Sequence, residues 1–212
     1  MADIAPSGHD LFEIMRTTRS MRRLKPDPVP NALLNQVLEA GTFAANGGNM
    51  QSWRFLVIRD PAIRSAAAVW YRKGWHEVVG PRYRSSQPPQ GTTPERFARM
   101  LTAAEYLADH FHEAPVWIVP CLAGPRGSGS SIFPAVQNML LAARAVGLGA
   151  TLTTLYLMHE KETEAAMGIP EGQHSYAILP IGFPTGKFGP VRRAPLAEVV
   201  FEDRWGQAWH GE

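Results

Sequence analysis

Two arginines and a hydroxyl group lie close together in the segment from Thr18 to Arg22, which reads Thr-Arg-Ser-Met-Arg. Such groups suit a phosphate dianion, because guanidinium groups carry permanent charge and paired donors while a hydroxyl adds one more donor. A second small basic cluster, Arg192 and Arg193, lies far away in the sequence. Each cluster is therefore a candidate anion site, although a solvated basic face or a nucleic-acid tail would have the same composition.

A different chemistry is indicated by the segment Asn46-Gly47-Gly48-Asn49-Met50-Gln51, in which three amide side chains surround a glycine pair. Each amide supplies both a donor and an acceptor, which suits the imide edge of a pyrimidine or flavin ring. The glycines would let the backbone approach a flat ligand closely. The alternative interpretation is an ordinary Asn-Gly turn, which is the better one for an isolated match.

Three threonines, Thr151, Thr153 and Thr154, follow Gly149 in a stretch that has the character of a strand. β-Branched residues are common in strands, so this pattern needs no functional explanation by itself. Only a neighbouring cofactor would give these hydroxyl groups a role.

Several other sites are excluded or weakly indicated. His110 and His112 are two positions apart and do not share a helix face, so we interpret them as surface or capping residues and predict no metal site. Cys121, the only cysteine, lies in an apolar segment and is predicted to be an inert core thiol. The sequence contains no G-x-S-x-G motif, no Walker lysine loop and no G-x-G-x-x-G motif after a strand, which excludes the common hydrolase, kinase and Rossmann interpretations.

The elements that must position these residues alternate between helices and short strands. Apolar periodicity and capping residues predict helices from Leu11 to near Ser20, Pro30 to Ala45, Pro61 to about Val79, Thr93 to Phe111, Ser130 to Val146 and Glu160 to Met167. Strands are predicted at Arg54–Arg59, Pro115–Leu122, Ala150–Leu155 and Tyr176–Ile181, with a strand-like patch at Val199–Phe201. Breaker residues predict a mobile loop from Gly80 to Gly91. The tail after Gly182 cannot bury itself, so we expect it to cover its own domain or a partner subunit.

The composition fits one soluble domain spanning residues 1–212. The chain has 212 residues, of which 45% are hydrophobic and 19% charged, enough apolar surface for a sizeable core. No apolar run approaches the ~18 residues of a membrane span, and the start lacks the pattern of a signal peptide, so a cytoplasmic protein is expected. The net charge of +2 gives little support for a nucleic-acid partner.

Taken in order, four segments resemble the motifs of the flavin-dependent nitroreductase family. TTRSMRRLKPDPVP is similar to the family's opening R-R-S-x-R-x-F-x-x-x-P-V-P, and AGTFAANGGNMQSWRFLVI to its A-P-S-G-x-N-x-Q-P-W-x-F loop and strand. FPAVQNMLLAARAVGLGA resembles the helix Q-N-x-x-L-A-A-x-x-x-G-L-G, and LPIGFPTGKFGPVRRAPLAEVV the closing L-P-x-G-x-P with R-x-P-L. The match covers roughly residues 10–205, whereas nothing carries over for about residues 65–112.

The resemblance implies a set of cofactor-binding residues for flavin mononucleotide (FMN). Arg19, Ser20 and Arg22 match the positions that hold the phosphate and ribityl chain, and Arg193 the arginine that returns from the tail to the phosphate. Asn46, Asn49 and Gln51 match the loop near the isoalloxazine ring. The complete set of implied cofactor-binding residues is Thr18, Arg19, Ser20, Met21, Arg22, Asn46, Asn49, Gln51, Leu152, Thr153, Thr154 and Arg193.

Two departures from the family pattern affect this set. Thr18 replaces the usual first arginine, and Ala45-Asn46 replaces Pro-Ser. Weaker binding of the phosphate is therefore expected, with an amide in place of a hydroxyl at the edge of the flavin ring. Leu152, Thr153 and Thr154 match the strand that reaches flavin N5, where the two threonines would tune the flavin. No side chain is implied as an essential acid or base, because the flavin carries the redox chemistry.

The resemblance also implies a fold and a reaction. The fold is α+β, with three layers, a mixed central sheet between helices, and a homodimer that exchanges C-terminal arms of about residues 182–212. The reaction is a ping-pong transfer of hydride from NAD(P)H through FMN to a small-molecule acceptor such as a nitroaromatic, a quinone or an enone. The alternatives are reductive dehalogenation, flavin fragmentation, or a non-enzymatic flavin-binding or anion-binding protein. A nucleic-acid binder that uses Arg16–Lys25 is the extreme case.

Overall fold

A computed structural model describes residues 10–89 and 91–211 of the chain. Its helices are α1 (Leu11–Thr17), α2 (Asn31–Thr42), α3 (Pro61–Gly74), α4 (Gly80–Arg84), α5 (Pro94–His110), α6 (Phe133–Ala145), α7 (Glu160–Ala166) and α8 (Leu196–Val199). Its strands are β1 (Trp53–Ile58), β2 (Val116–Ala123), β3 (Gly149–Ala150), β4 (Gln173–Ser175) and β5 (Leu179–Gly182). A π-helix, Trp75–Val79, joins α3 to α4, and short 3-10 turns lie at Gly47–Asn49, Phe111–Glu113 and Leu155–His159.

The strands form one sheet in the order β1-β2-β5-β3, and β4 pairs with β2 near the end of that strand. β1 pairs with β2 from Trp117 to Leu122, with Phe55 opposite Pro120. β5 pairs with the start of β2, and Ile118 lies opposite Leu179. The four strand pairings of the described residues are all antiparallel, so the expected mixed sheet is not found among them.

Alternating residues of β2 divide the core into two halves. Trp117 and Val119 are fully buried on one face, against α3 and α5. Val116 and Ile118 are buried on the other face, against α2 and α6. A strand buried on both faces reads as a continuous apolar run, and this explains the sequence from Val116 to Leu122. The α+β class and the three-layer arrangement are therefore confirmed.

Two helix starts follow directly from local chemistry. Asp60 accepts a hydrogen bond from the backbone N–H of Ala62 at 2.7 Å, with Pro61 as the first helical residue of α3. Thr93 caps α5 in the same way, again with a proline at the first helical position. A side-chain oxygen at this position satisfies one of the free N–H groups of a helix, and proline loses nothing there.

Three predicted elements differ from the structure, and one strand was not predicted. The segment predicted as a mobile loop from Gly80 begins as α4, because Tyr83 packs against Trp75 and Phe97. The predicted strand Ala150–Leu155 is reduced to β3 and an isolated bridge at Thr153, and the chain then turns into a 3-10 helix. In the Val199–Phe201 patch, Val199 ends α8, whereas Val200 is extended and Phe201 forms an isolated antiparallel β-bridge with Ala208. β4 is a strand that the sequence analysis missed.

The first part of the C-terminal tail packs on its own chain. Thr185 donates a backbone hydrogen bond to Arg23, and Val191 donates one to Arg16. Leu24 also forms a β-bridge with Pro184. The expectation that the whole segment from Gly182 leaves its own chain is therefore wrong for residues 182–191.

The exposed apolar residues of the tail come later in the sequence. Trp205 is 92% exposed, and Leu196 and Val199 are exposed in α8. No helix among the described residues has the length and apolar character that a membrane span requires.

Candidate functional site

A cavity of about 820 Å³, called here the basic cavity, brings together three parts of the chain that are distant in sequence. Eight of its lining residues are basic, and none of the described residues that line it is acidic. The lining residues are Arg19, Ser20, Met21, Arg22, Arg23, Arg96, Arg99, Met100, Ala103, Thr185, Gly186, Lys187, Pro190, Val191, Arg192 and Arg193. Its volume lies in the range of small-molecule sites, and its charge selects anions.

Backbone contacts fix the segment 19–23 in the wall of this cavity. The N–H of Met21 donates to the carbonyl of Ala150 in β3 at 2.9 Å, so this segment is attached to the edge of the sheet. The carbonyl of Arg23 accepts from the N–H of Thr185, which brings the tail alongside. The guanidinium of Arg23 lies 4.1 Å from the ring centre of Tyr106 in α5. Sheet edge, tail and α5 therefore meet around one short segment.

Burial shifts the pKa values of Arg22, which lines the cavity, and of Tyr71 near it. The pKa of Arg22 is lowered, mainly by desolvation and to a smaller extent by the nearby charge of Arg19. Burial also raises the pKa of the Tyr71 phenol above its ordinary value. An anion placed in the cavity would lower the free energy of these crowded guanidinium groups, because opposite charges favour the ionised form.

The basic cavity contains five of the twelve residues that the sequence analysis assigned to the cofactor. Arg19, Ser20, Met21 and Arg22 line one wall, and Arg193 joins them from the tail. Thr18 does not line it: its hydroxyl donates to the carbonyl of Ile14 at 2.7 Å and closes the end of α1. The two basic clusters of the sequence are thus one site in the fold.

The amide loop, residues 46–51, lies outside the basic cavity of the same chain. Its N–H at Gly47 donates to the Ser131 hydroxyl just before α6, and the Asn46 side chain accepts from the N–H of Gln51. Asn49 and Gln51 have φ angles of 53° and 47°, in the left-handed region that residues with a side chain rarely adopt. Strained backbone of this kind is common where side chains are held for a ligand.

The threonine segment lies beside the cavity wall but does not line it. The Thr153 hydroxyl donates to the Tyr71 hydroxyl at 3.0 Å and is buried, so this group already has a partner. Thr154 is exposed, and Leu152 is partly exposed. Of the two threonines expected near a flavin, Thr154 has the more accessible side chain.

The contribution of α5 to the cavity was not predicted from the sequence. Arg96 and Arg99 are one helical turn apart, and Met100 and Ala103 continue the same face. The only available signal was this spacing within a basic and apolar stripe, and no family motif covers it. Lys187 was missed as well, and Arg23 lines the cavity although it lies outside the matched signature.

A cluster of Glu160, Glu164 and His174 has its ligand-type atoms within 4.8 Å of one another. Arg126 forms an ion pair with Glu160, its Nε lying 2.9 Å from the carboxylate. Glu164 accepts hydrogen bonds from the N–H and the hydroxyl of Ser175, both at 2.6 Å. These contacts explain the cluster as an ion-pair network that closes one end of the sheet.

Cys121 is buried in β2, as the sequence analysis predicted. Burial raises the pKa of its thiol to about 12, with a smaller effect from Glu164. The thiolate is the reactive form of cysteine, so this residue has no nucleophilic character near neutral pH.

Comparison with known proteins places this architecture in one family. The model of the "Nitroreductase family" matches residues 15–183. The NADH dehydrogenase of Thermus thermophilus is 27% identical over 198 residues, covering 86% of this chain and 90% of the relative. Iodotyrosine deiodinase 1 of Rattus norvegicus is 25% identical over 206 residues, covering 91% and 69%.

A solved structure gives the same result for the fold. A variant of the FMN- and NADPH-dependent nitroreductase NfnB from Sphigopyxis sp. strain HMH superposes with a TM-score of 0.68. It is 22% identical and covers 93% of this chain and 100% of the other. The matched residues 15–183 make up most of the chain and include the segment 19–23, the amide loop and the threonine segment, so the chain belongs to the nitroreductase family.

Proposed function

We propose that this chain is an FMN-dependent oxidoreductase that takes electrons from NAD(P)H and passes them to nitroaromatic, quinone or enone acceptors. The observation that carries the proposal is the basic cavity, in which Arg19, Ser20 and Arg22 meet Arg193 without an acidic neighbour among the described lining residues. A terminal phosphate carries a charge of about −1.5 to −2 at pH 7, and this donor set suits it.

The donor set favours FMN over flavin adenine dinucleotide (FAD). Guanidinium groups from two separate segments converge on one region, as a terminal monophosphate requires. The cofactor supplies the redox chemistry, and the chain binds, orients and shields it.

The chain's own residues have positioning roles in this proposal. Arg19 and Arg193 hold the phosphate, and the Ser20 hydroxyl adds a donor beside it. The Thr153 hydroxyl is bound to Tyr71, whereas the neighbouring Thr154 is exposed. Thr154 is therefore our candidate for tuning the flavin ring. No acidic or basic side chain is required to transfer a proton.

A homodimer completes the proposed site. The amide loop does not line the basic cavity of its own chain, although its backbone is held in a strained form typical of ligand sites. We infer that a second copy supplies Asn46, Asn49 and Gln51. Exposed apolar side chains on α1 and on the end of the tail offer a surface for that copy, and these are Leu11, Phe12, Met15, Leu196, Val199, Phe201, Trp205 and Trp209.

Reductive dehalogenation is the second candidate function. The rat iodotyrosine deiodinase is as similar to this chain as other relatives are, and the accessible hydroxyl of Thr154 is the specific feature that favours one-electron chemistry. Thr154→Val should then remove dehalogenation of 3-iodotyrosine while nitro reduction changes little. Thr153→Val is the matched control, because that hydroxyl is already bound to Tyr71.

The proposed function is tested by identifying the flavin and its reactions. The purified chain is denatured and the released flavin is separated by chromatography, with FMN as the expected species. Anaerobic NAD(P)H should then bleach the yellow colour, and a panel of acceptors should restore it. Recovery of FAD or of no flavin contradicts the proposal, and a flavin that NAD(P)H does not bleach indicates a carrier instead of an enzyme.

A further inference from the structure

The basic cavity contains more positive charge than one phosphate group needs. Eight basic residues line it, and three of them, Arg19, Arg22 and Arg193, are the arginines assigned above to FMN. One phosphate monoester neutralises about two charges. The surplus is large enough to bind a second anionic group within the same cavity.

Arg96 and Arg99 are the pair best placed to form such a second site. Both belong to α5, an element that supplies no residue to the FMN set, and one helical turn separates them. The turn that carries Arg96 is fixed by the Thr93 cap, whose hydroxyl accepts from the N–H of Arg96. The other end of α5 is held against the segment 19–23 by the contact of Arg23 with Tyr106.

The acidic residues of α5 do not neutralise this pair by ion pairing. Glu105 forms an ion pair with Arg84, and Asp109 forms ion pairs with Arg72 and His76. These acids therefore compensate bases on α3, α4 and the π-helix.

The third acid of α5, Glu95, lies near Arg99 but is fully exposed. Its pKa is lowered first by a backbone N–H, then by the Thr93 hydroxyl, and the charge of Arg99 is the smallest of these causes. The positive charge of Arg96 and Arg99 thus remains available to a ligand in the cavity.

We propose that Arg96 and Arg99 form a second anion subsite that binds the 2′-phosphate of NADPH and makes NADPH the preferred electron donor. NADPH differs from NADH by this one phosphate, and arginine is the residue that commonly receives it. The inference rests on the proposed function, because it assigns the donor of the same cavity.

Binding of nucleotide fragments tests the subsite without using enzyme turnover. The full-length protein with its flavin is titrated with 2′,5′-ADP and with 5′-AMP by calorimetry. We expect 2′,5′-ADP to bind at least tenfold more tightly, and Arg96→Gln with Arg99→Gln to remove the difference. Arg82→Gln is the matched control, because Arg82 is an exposed arginine on α4 that does not line the cavity.

Kinetics of flavin reduction supply the second measurement. The double variant should lower kcat/KM for NADPH by about ten- to a hundred-fold, as loss of charged hydrogen bonds to a phosphate typically does, while NADH changes less than threefold. FMN affinity should stay the same.

Each contrary result has a separate meaning. Equal binding of 2′,5′-ADP and 5′-AMP by an FMN-loaded protein overturns the subsite alone. A fall in the FMN affinity of the double variant assigns both arginines to the cofactor and also overturns the NADPH subsite. A raised KM for an acidic acceptor such as 4-nitrobenzoate, with NADPH unaffected, gives the site to the acceptor and overturns the assignment to NADPH. A chain that carries no FMN instead overturns the proposed function, and the donor role with it.

Discussion

The Thr153 hydroxyl donates to the Tyr71 hydroxyl at 3.0 Å, and this buried bond joins the threonine segment to the C-terminal turn of α3. Tyr71 also stacks on Phe111 with ring centres 4.2 Å apart, so its ring has little freedom to move. The segment beside the basic cavity is therefore held from the core rather than from the surface.

Removing one partner of this pair should destabilise the protein more than removing both. Tyr71→Phe and Thr153→Val each leave a buried hydroxyl without its partner, which costs about 1–3 kcal/mol. The double variant removes both hydroxyls with little change of shape and should recover much of that loss. Urea unfolding of the four proteins measures the coupling, and additive losses would show that the hydrogen bond contributes nothing.

Stability should fall at alkaline pH because buried acids ionise less readily in the folded state. Burial raises the pKa of the Cys121 thiol from 9.0 to about 12, so between these values the unfolded chain loses its proton first. The free energy of unfolding therefore decreases as the pH rises from 9 to 12. Burial raises the pKa values of Tyr71 and Tyr156 as well, which adds to the same trend.

Cys121→Ala separates the thiol from these phenols. Its unfolding free energy is expected to be lower at pH 8, because a small void is left, but it should depend less on pH between 9 and 12. Chemical unfolding at several pH values under reducing conditions measures this slope. A slope equal to that of the parent protein would exclude Cys121 as its source.

Arginines of the basic cavity should differ in their contribution to FMN binding. Arg19→Ala or Arg193→Ala removes a charged donor and should weaken binding by about ten- to a hundred-fold. Arg23→Ala should have a smaller effect, because its guanidinium lies over Tyr106. Fluorescence titration ranks the three variants, with Arg54→Ala on β1 as a control outside the cavity. A larger effect at Arg23 would show that the signature has been aligned one residue out of register.

Local signals in the sequence predicted local features of the fold. The caps at Asp60 and Thr93 start α3 and α5 where the sequence places them, because a cap needs only neighbouring residues. One glycine after α3 led to a wrong prediction. Gly80 was interpreted as a breaker, but a side chain there would lie 2.9 Å from the Trp75 carbonyl, so close packing explains this glycine.

The composition of the site depended on contacts between distant parts of the chain. The arginines 19, 22 and 193 line one cavity, and two separate motifs of the family resemblance had grouped them. Arg96 and Arg99 lie in the region without such motifs, and only the folding of α5 across the segment 19–23 brings them in. The hydrogen bond between Thr153 and Tyr71 is likewise a tertiary contact, which no spacing in the sequence indicates.

Truncation after Pro195 tests the role of the exposed end of the tail. This variant keeps Arg192, Arg193 and the backbone contacts of residues 183–191, but removes α8 and the exposed tryptophans. If the arm covers a partner subunit, the truncated protein should be monomeric at micromolar concentration, since it has lost that apolar surface. Light scattering after size exclusion gives the mass, and an unchanged dimer would show that the arm is not required for assembly.

Complementation between two defective chains tests whether a site is shared by two subunits. One chain carries Arg19→Ala in the basic cavity, and the other carries Asn49→Ala with Gln51→Ala in the amide loop. In a mixed dimer, the cavity of the second chain is intact and would meet the intact loop of the first. One of the two sites in the mixed dimer should therefore bind FMN with the affinity of the parent protein.

A site built within a single chain gives the opposite result, because every cavity in the mixture then contains one of the two defects. The two chains are co-expressed with different tags, and the mixed dimer is isolated by purification on both tags. The flavin content per dimer is measured after chromatography. The separately prepared variant dimers are the controls, and both should lose FMN during purification. Mixed dimers that retain no more flavin than these controls would contradict the shared site, and the amide loop would then have to act on the cofactor bound by its own chain.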